Sequence, residues 1–129
     1  MVDASAVLEI LLRTERADQL MERAFEASEQ MHAPQLVDIE ITQVLRRLVR
    51  QKEITALRAE QALQDLSDLL IERHVHQALI SRIWQLRDSV SAYDGAYVAL
   101  AEALAAPLLT CDGKLARTQG HRAIIELIP

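Results

Sequence analysis

Four carboxylates, Asp3, Glu40, Asp94 and Asp112, stand where an α/β chain can gather them at one point. Asp3 closes a short apolar start, Met1-Val2, and Asp112 follows the run Pro107-Leu108-Leu109-Thr110-Cys111. Ligands of α/β sheets bind beyond the carboxyl ends of the strands, where strand order reverses, so two neighbouring strands would aim both acids into one crevice. Asp94 falls in the first turn of a helix beginning near Ser91. Glu40 lies between Val37 and Val44, on the border of the buried stripe of its own helix. Four carboxylates so close would repel and could not all ionise unaided. A hard divalent ion, Mg²⁺ or Mn²⁺, resolves that conflict because it prefers carboxylate oxygens and water. Such an ion lowers the pKa of bound water and stabilises charge on a phosphate.

Each acid also has a purely structural explanation. Asp is a favoured N-cap residue, and Asp3 stands just before a helical pattern. Ser91-Ala92-Tyr93-Asp94 fits a capping box, with Ser91 as the cap and Asp94 reaching back. Asp112 precedes Gly113, a common turn pair. Glu40 has a possible salt-bridge partner in Arg47, two turns on, or lies solvated on its flank. Held against the stripe it would be partly desolvated, which is costly without a cation or hydrogen-bond donors. Coincidence of place, more than any single residue, favours the chemical reading.

The elements that must position these acids follow from periodicity. A very short strand, Met1 to Asp3, turns at once into a helix carrying Val7, Leu8, Leu11 and Leu12. A helix from Glu15 to Ser28 turns Leu20, Met21 and Ala24 inward, and Met31 to Pro34 reads as a strand stopped by proline. Val37, Ile41, Val44, Leu45 and Leu48 mark a helix from Leu36 to Arg50. Helix Ala56 to Leu70, strand Ile71 to His76, and helices Ala78 to Arg87 and Ser91 to Ala105 come next. Strand Pro107 to Thr110, a brief helix near Leu115 and a strand from Ile124 to Ile128 complete the pattern. Short apolar strands between amphipathic helices predict an α/β fold: a mostly parallel central sheet with helices on both faces.

The totals agree. A chain of 129 residues has the length of one domain and buries roughly two-thirds of its unfolded surface without a staple. Half its residues are hydrophobic but only Phe25, Trp84, Tyr93 and Tyr97 are aromatic, so the core must be Leu, Ile, Val and Ala. Cys111 is alone, which rules out an internal disulfide and a Cys-based zinc site. A net charge of −5 argues against a non-specific nucleic-acid coat, though a nuclease needs only a local basic patch. Of the fourteen basic residues only Lys52 and Lys114 are lysine; Arg is the type that pairs bidentately with phosphate. With no signal-peptide pattern and no apolar run of spanning length, a soluble cytoplasmic protein is expected.

Four motifs taken in order are more specific than any one of them: Val2-Asp3-Ala4-Ser5-Ala6, Glu40 ahead of Val44-Leu45-Arg46-Arg47, Ser91-Ala92-Tyr93-Asp94-Gly95-Ala96-Tyr97, and Leu109-Thr110-Cys111-Asp112. In order and spacing they resemble the PIN domain, over essentially the whole chain, residues 1–129. Compact single-domain members of this length are typically VapC-like toxins of toxin–antitoxin pairs. The resemblance implies a metal-dependent endoribonuclease that hydrolyses RNA phosphodiester bonds, with one or two Mg²⁺ or Mn²⁺ ions. Asp3 and Asp94 would be the most direct ligands. Glu40 and Asp112 would complete the site, help a second ion or orient the attacking water, and Ser5 and Thr110 would tune it by hydrogen bonding. It also implies a homodimer silenced by a VapB-like antitoxin that fills the acidic crevice. Only Met1 and Val2 precede the first Asp, fewer apolar residues than the family usually has, so the first strand should be cut short.

Several residues stand outside this set. Arg46, Arg47, Arg50 and Lys52 form either a solvated helix end, well placed at the negative pole, or a phosphate track toward the carboxylates. Lys114, Arg117 and Arg122 could form a second patch. His74 and His76 alternate as on one strand face, but two His without a third ligand make a poor zinc site. Tyr93, Tyr97, Leu100 and Leu104 share a helix face and read as core. A receiver-type phosphoacceptor domain is the rival from another class; it would need paired acids after the first strand and a Lys-Pro late in the chain, and neither is present. A non-catalytic binding module of PIN-like fold is the third possibility.

Overall fold

The first three residues hold the sheet together. In the computed structural model, which describes residues 1–27 and 30–129, Val2 forms a single parallel bridge with Leu109. Its amide donates to the His32 carbonyl at 3.0 Å, while the Leu109 amide donates to Met1 O at 2.9 Å and the Asp3 amide to Leu109 O at 3.2 Å. The start of the chain therefore lies between β1 (Met31–Pro34) and β3 (Leu108–Thr110). Outside them, β1 pairs in parallel with β2 (Ile71–His74), and β3 with β4 (Ile125–Leu127). The spatial order is β2, β1, residues 1–3, β3, β4, with the β1–β2, Val2–Leu109 and β3–β4 pairings all parallel, which requires crossover helices. The expected first strand is reduced to one bridge, because Asp3 already caps the following helix.

Those helices are α1 (Ala4–Leu11), α2 (Ala17–Ala27), α3 (Val37–Arg50), α4 (Ala56–Asp68), α5 (Ile80–Gln85), α6 (Ala92–Leu104) and the single turn α7 (Gly113–Ala116). The expected end of α2 at Ser28 lies outside the described residues. The strand predicted to reach His76 stops at His74, and residues 77–79 form a 3₁₀ turn before α5. Helices α1, α3 and α4 pack as one group and α5 with α6 as another, with α6 lying against β1 and β3.

The core is aliphatic, as composition demanded. Val2, Val7, Leu11, Leu20, Met31, Val37, Ile41, Leu45 and Leu108 are all buried, each large side chain contributing about 1.5–3 kcal/mol. Helix α6 is buried on every side from Gly95 to Ala101, between the sheet and α5. A Cβ at Gly95 would come within 3.2 Å of Ile83 Cγ2, so the absence of a side chain there lets α5 approach. Two ion pairs fasten the periphery. Arg23 of α2 grips Glu126 of β4 at 2.7 and 2.9 Å, and Arg73 of β2 grips Asp38 of α3 at 2.9 Å.

Candidate active site

Asp3 is both a cap and a member of the acidic cluster. It leaves the sheet beside Leu109 and N-caps α1, its Oδ1 accepting from the Ala6 amide at 2.9 Å. The same oxygen accepts from Ser5 Oγ at 2.6 Å, and Oδ2 accepts from Thr110 Oγ1 at 2.5 Å. Only 5% of Asp3 is exposed. Burial pushes its pKa up, the three hydrogen bonds pull it back, and the negative charge of Asp112 pushes it up again. Thr110, fully buried, receives the Asp112 amide at 2.9 Å, and Ser5 Oγ receives the Cys111 amide at 3.0 Å. Ser5 and Thr110 thus tie α1 to the end of β3 through the Asp3 carboxylate.

Glu40 stands in the first turn of α3 and accepts from the Tyr97 hydroxyl at 2.8 Å. Burial raises its pKa, Tyr97 lowers it, and the charges of Asp94 and Asp3 raise it. Arg47, its expected salt-bridge partner, is exposed and forms no such pair. Seven residues along a helix amount to about 10 Å, beyond the reach of a contact ion pair. Tyr97 was expected only as core. It is 1% exposed, and its hydroxyl must find an acceptor. Burial first, then Glu40, Asp3 and Asp94, raise the Tyr97 pKa, so the phenol stays a donor.

Half of the expected capping box forms at α6. The Asp94 amide donates to Ser91 Oγ at 3.1 Å, but the Asp94 carboxylate does not reach back and accepts no hydrogen bond from the described residues. Burial raises its pKa, Asp112 raises it further, and Lys114 lowers it. Asp94 borders a cleft of ≈ 380 Å³ whose lining includes Arg87, Ser89, Ser91, Lys114 and Thr118. Asp112 caps α7, accepting from the Lys114 amide at 2.8 Å.

The acids are therefore linked through their charges on the carboxyl-end side of the sheet, Asp112 acting on Asp3 and Asp94, and Asp94 and Asp3 acting on Glu40. The donor set is all carboxylate oxygen, which fits a hard cation, and the Asp94 carboxylate, which accepts no hydrogen bond from the described residues, offers it a ligand. The cluster is open. Among the described residues the only three ligand-bearing side chains within 4.8 Å of one another are His32, Glu72 and His74.

The basic residues divide. Lys114 and Arg117 lie on or beside α7, exposed, with Arg117 Nη1 3.1 Å from where a Cβ on Gly113 would stand. Arg46, Arg47 and Arg50 are exposed at the far end of α3 from Glu40, with Lys52 in the turn beyond. Arg122 is turned toward Glu102, its backbone amide donating to Oε1 at 2.8 Å and its exposed guanidinium 3.8 Å from Oε2. Two expectations are corrected. Tyr93 and Leu104 are not core but 67% and 37% exposed, because the first and last turns of α6 project past the packed layer. His76 lies beyond β2, and the companion of His74 is His32, across the ladder.

The PIN domain family model matches residues 1–120. Ribonuclease VapC9 of Mycobacterium tuberculosis is 42% identical over 128 residues, 99% of this chain and 97% of that protein. Ribonuclease VapC12 of the same organism is 37% identical over 127 residues, 98% and 97% of the two chains. Among solved structures, PAE2754 from Pyrobaculum aerophilum superposes with a TM-score of 0.69 at 23% identity, over 96% of this chain and 87% of that one. At that identity the likeness concerns the fold alone. No helix among the described residues is long and apolar enough to cross a membrane.

Proposed function

Because this chain belongs to the PIN domain family, we propose that it is a metal-dependent endoribonuclease, the toxin half of a VapBC-like pair, with residues 1–129 as one catalytic domain. The receiver-type alternative falls with the family match. The observation that carries the proposal is the convergence of Asp3, Glu40 and Asp94, whose pKa values are all raised, at least in part, by neighbouring members of the acidic cluster. The names of the VapC relatives supply the substrate class.

Asp3 and Asp94 would be the most direct ligands of Mg²⁺ or Mn²⁺, with Glu40 and Asp112 completing the set. When bound, the ion would lower the pKa of water and neutralise charge on the phosphate. The chain's own residues do the remainder. Ser5, Thr110 and the Ala6 amide fix Asp3. Tyr97 holds Glu40 Oε1, leaving Oε2 to orient the attacking water and take its proton, a task suited to a carboxylate of raised pKa. Lys114, whose charge acts on Asp94, and Arg117, which reaches back beside Gly113, receive the scissile and adjoining phosphates, and Arg46, Arg47 and Arg50 engage RNA further along α3.

The partner in this proposal is a VapB-like antitoxin acting in the cytoplasm. Arg is the best protein substitute for a cation between carboxylates, because its guanidinium stays charged and bridges two of them. The antitoxin would insert an Arg among Asp3, Asp94 and Asp112. A homodimer is part of the same proposal, supported by Ile80 and Trp84, one turn apart on α5 and 53% and 66% exposed. The experiment is RNA cleavage with Mg²⁺ or Mn²⁺ added back to metal-stripped protein. Wild type should cut and Asp94→Asn should not. A wild-type protein that binds its antitoxin but never cuts RNA would leave the non-catalytic binding module as the correct description.

A further inference from the structure

A different set of ligand-bearing side chains lies on the β1–β2 pair, and the acidic site uses none of them. The register sets His32 opposite Glu72 and Pro34 opposite His74. Side chains alternate along a strand, so Glu72 and His74 share a face, and His32 lies on that face too. The other face is occupied by Met31, Ala33 and Ile71, all buried, and by Arg73 on its way to Asp38.

On the shared face His32 Nδ1 lies 3.0 Å from His74 Nε2 and 3.5 Å from Glu72 Oε2, and His74 Nε2 lies 4.0 Å from Glu72 Oε1. A tetrahedral ion with bonds of about 2.0–2.1 Å holds its ligand atoms about 3.3 Å apart. The two separations from His32 Nδ1, 3.0 Å to His74 Nε2 and 3.5 Å to Glu72 Oε2, bracket that edge length, and one ligand atom from each of the three residues lies within 4.8 Å of the others. Gln30 donates its amide to Glu72 Oε2 at 2.7 Å, the kind of outer contact that orients a ligating carboxylate. The side chains of His32 and His74 are 20% and 22% exposed and Glu72 is 49% exposed, so the group is half-sheltered yet open to solvent on one side.

We propose that His32, Glu72 and His74 form a second divalent-cation site, independent of the acidic cluster and of the zinc class. Two imidazoles and a carboxylate suit Zn²⁺, Co²⁺ or Ni²⁺ rather than Mg²⁺, which favours an all-oxygen shell. Three protein ligands leave a position for water. An ion there would clamp the edge strand β2 to β1, whose His32 carbonyl holds the Val2 amide. It would brace the segment that delivers Asp3.

The test uses the full chain stripped of metal and titrated with Co²⁺ alone, read by its visible absorption, then competed with Zn²⁺ and separately with Mg²⁺. Expected are one tight Co²⁺ site, displacement by Zn²⁺ but not by Mg²⁺, and an affinity lower by at least about tenfold in both Glu72→Gln and His74→Gln. Asp94→Asn should bind Co²⁺ at this site as wild type does. Glu72 is exposed enough that Glu72→Gln should fold normally, with circular dichroism as the check. Failure of Co²⁺ to bind, or binding unchanged by both ligand substitutions, overturns the proposal. So does loss of the tight site in Asp94→Asn with retention in Glu72→Gln.

Discussion

Replacing Thr110 by Val keeps the shape of a fully buried side chain and deletes the hydroxyl on which the acidic site hangs. That hydroxyl donates to Asp3 Oδ2 and accepts from the Asp112 amide. A hydrogen bond to an ionised group is worth about 1.5–3 kcal/mol and a neutral one about 0.5–1.5 kcal/mol. Thr110→Val should therefore cost about 2–4.5 kcal/mol at neutral pH, measured by urea unfolding. Thr110→Ser keeps both bonds and loses one buried methyl, about 1 kcal/mol. The two variants also differ in pH dependence. The Asp3 pKa already lies above the usual carboxylate value, and removing a donor raises it further. The excess cost of the Val variant is present where Asp3 is ionised and should shrink as pH falls through that raised pKa. The Ser variant should show a pH-independent deficit. Equal losses in the two variants, or a Val deficit that ignores pH, would refute the view that Thr110 acts through the Asp3 carboxylate.

Tyr97→Phe should remove about 1–2 kcal/mol, because half-buried Glu40 regains some water where it loses its donor. It should also shift the acidic limb of RNA cleavage to higher pH, as Glu40 then holds its proton more tightly; an unmoved profile would take Glu40 out of the reaction. Glu102, 5% exposed and gripped by Arg82 at 2.8 and 3.0 Å, has its pKa held down to about 2. A depressed carboxylate contributes stability above its unfolded pKa and loses it as pH falls through the folded value. Glu102→Gln should cost on the order of 2–3 kcal/mol at pH 7 and flatten acid unfolding below about pH 4.5; parallel acid-unfolding curves for the two proteins would refute it.

The parallel sheet and the positions of the four acids were legible because they are local patterns. Short apolar runs ending in Asp3 or near Asp112 read directly as strand ends. What escaped depends on how distant segments meet. His32 and His74 belong to strands joined by a long crossover, and nothing in either strand announces the register that sets them 3.0 Å apart. The alternation of His74 with His76 was visible but misleading, because β2 ends before His76. Helical spacing placed Tyr93 and Tyr97 on one face, yet one is exposed and the other buried, since spacing gives direction and not depth. Tyr97 did carry a signal. A phenol in an aliphatic core needs an acceptor, and Glu40 was the buried-flank acid in need of a donor.

In the proposed site a helix cap and a metal ligand need not be different residues, and the way the two roles combine separates Asp3 from Asp94. An ionised carboxylate has about four acceptor positions. Asp3 fills three, with Ala6, Ser5 and Thr110, so one remains for a cation. Asp94 fills none with the described residues and keeps them all. Removing Asp3 should therefore damage the fold as well as the site. Asp3→Ala strips a helix cap, about 0.5–2 kcal/mol, and leaves two sheltered hydroxyls without their acceptor. Asp94 is the opposite case. Its raised pKa means that ionisation in the folded protein is unfavourable, a cost that grows as pH rises through the folded value. Asp94→Asn should make the metal-free protein more stable at neutral pH by about 0.5–2 kcal/mol, the range common for a single stabilising substitution such as relief of an unfavourable charge. The gain should vanish in acid, where both proteins carry a neutral side chain at that position. Added Mn²⁺ should reverse the ranking by stabilising wild type alone. Thermal unfolding with and without Mn²⁺ at two pH values reads all of this, and an Asp94→Asn protein less stable than wild type without metal would show that Asp94 serves the fold and not the ion.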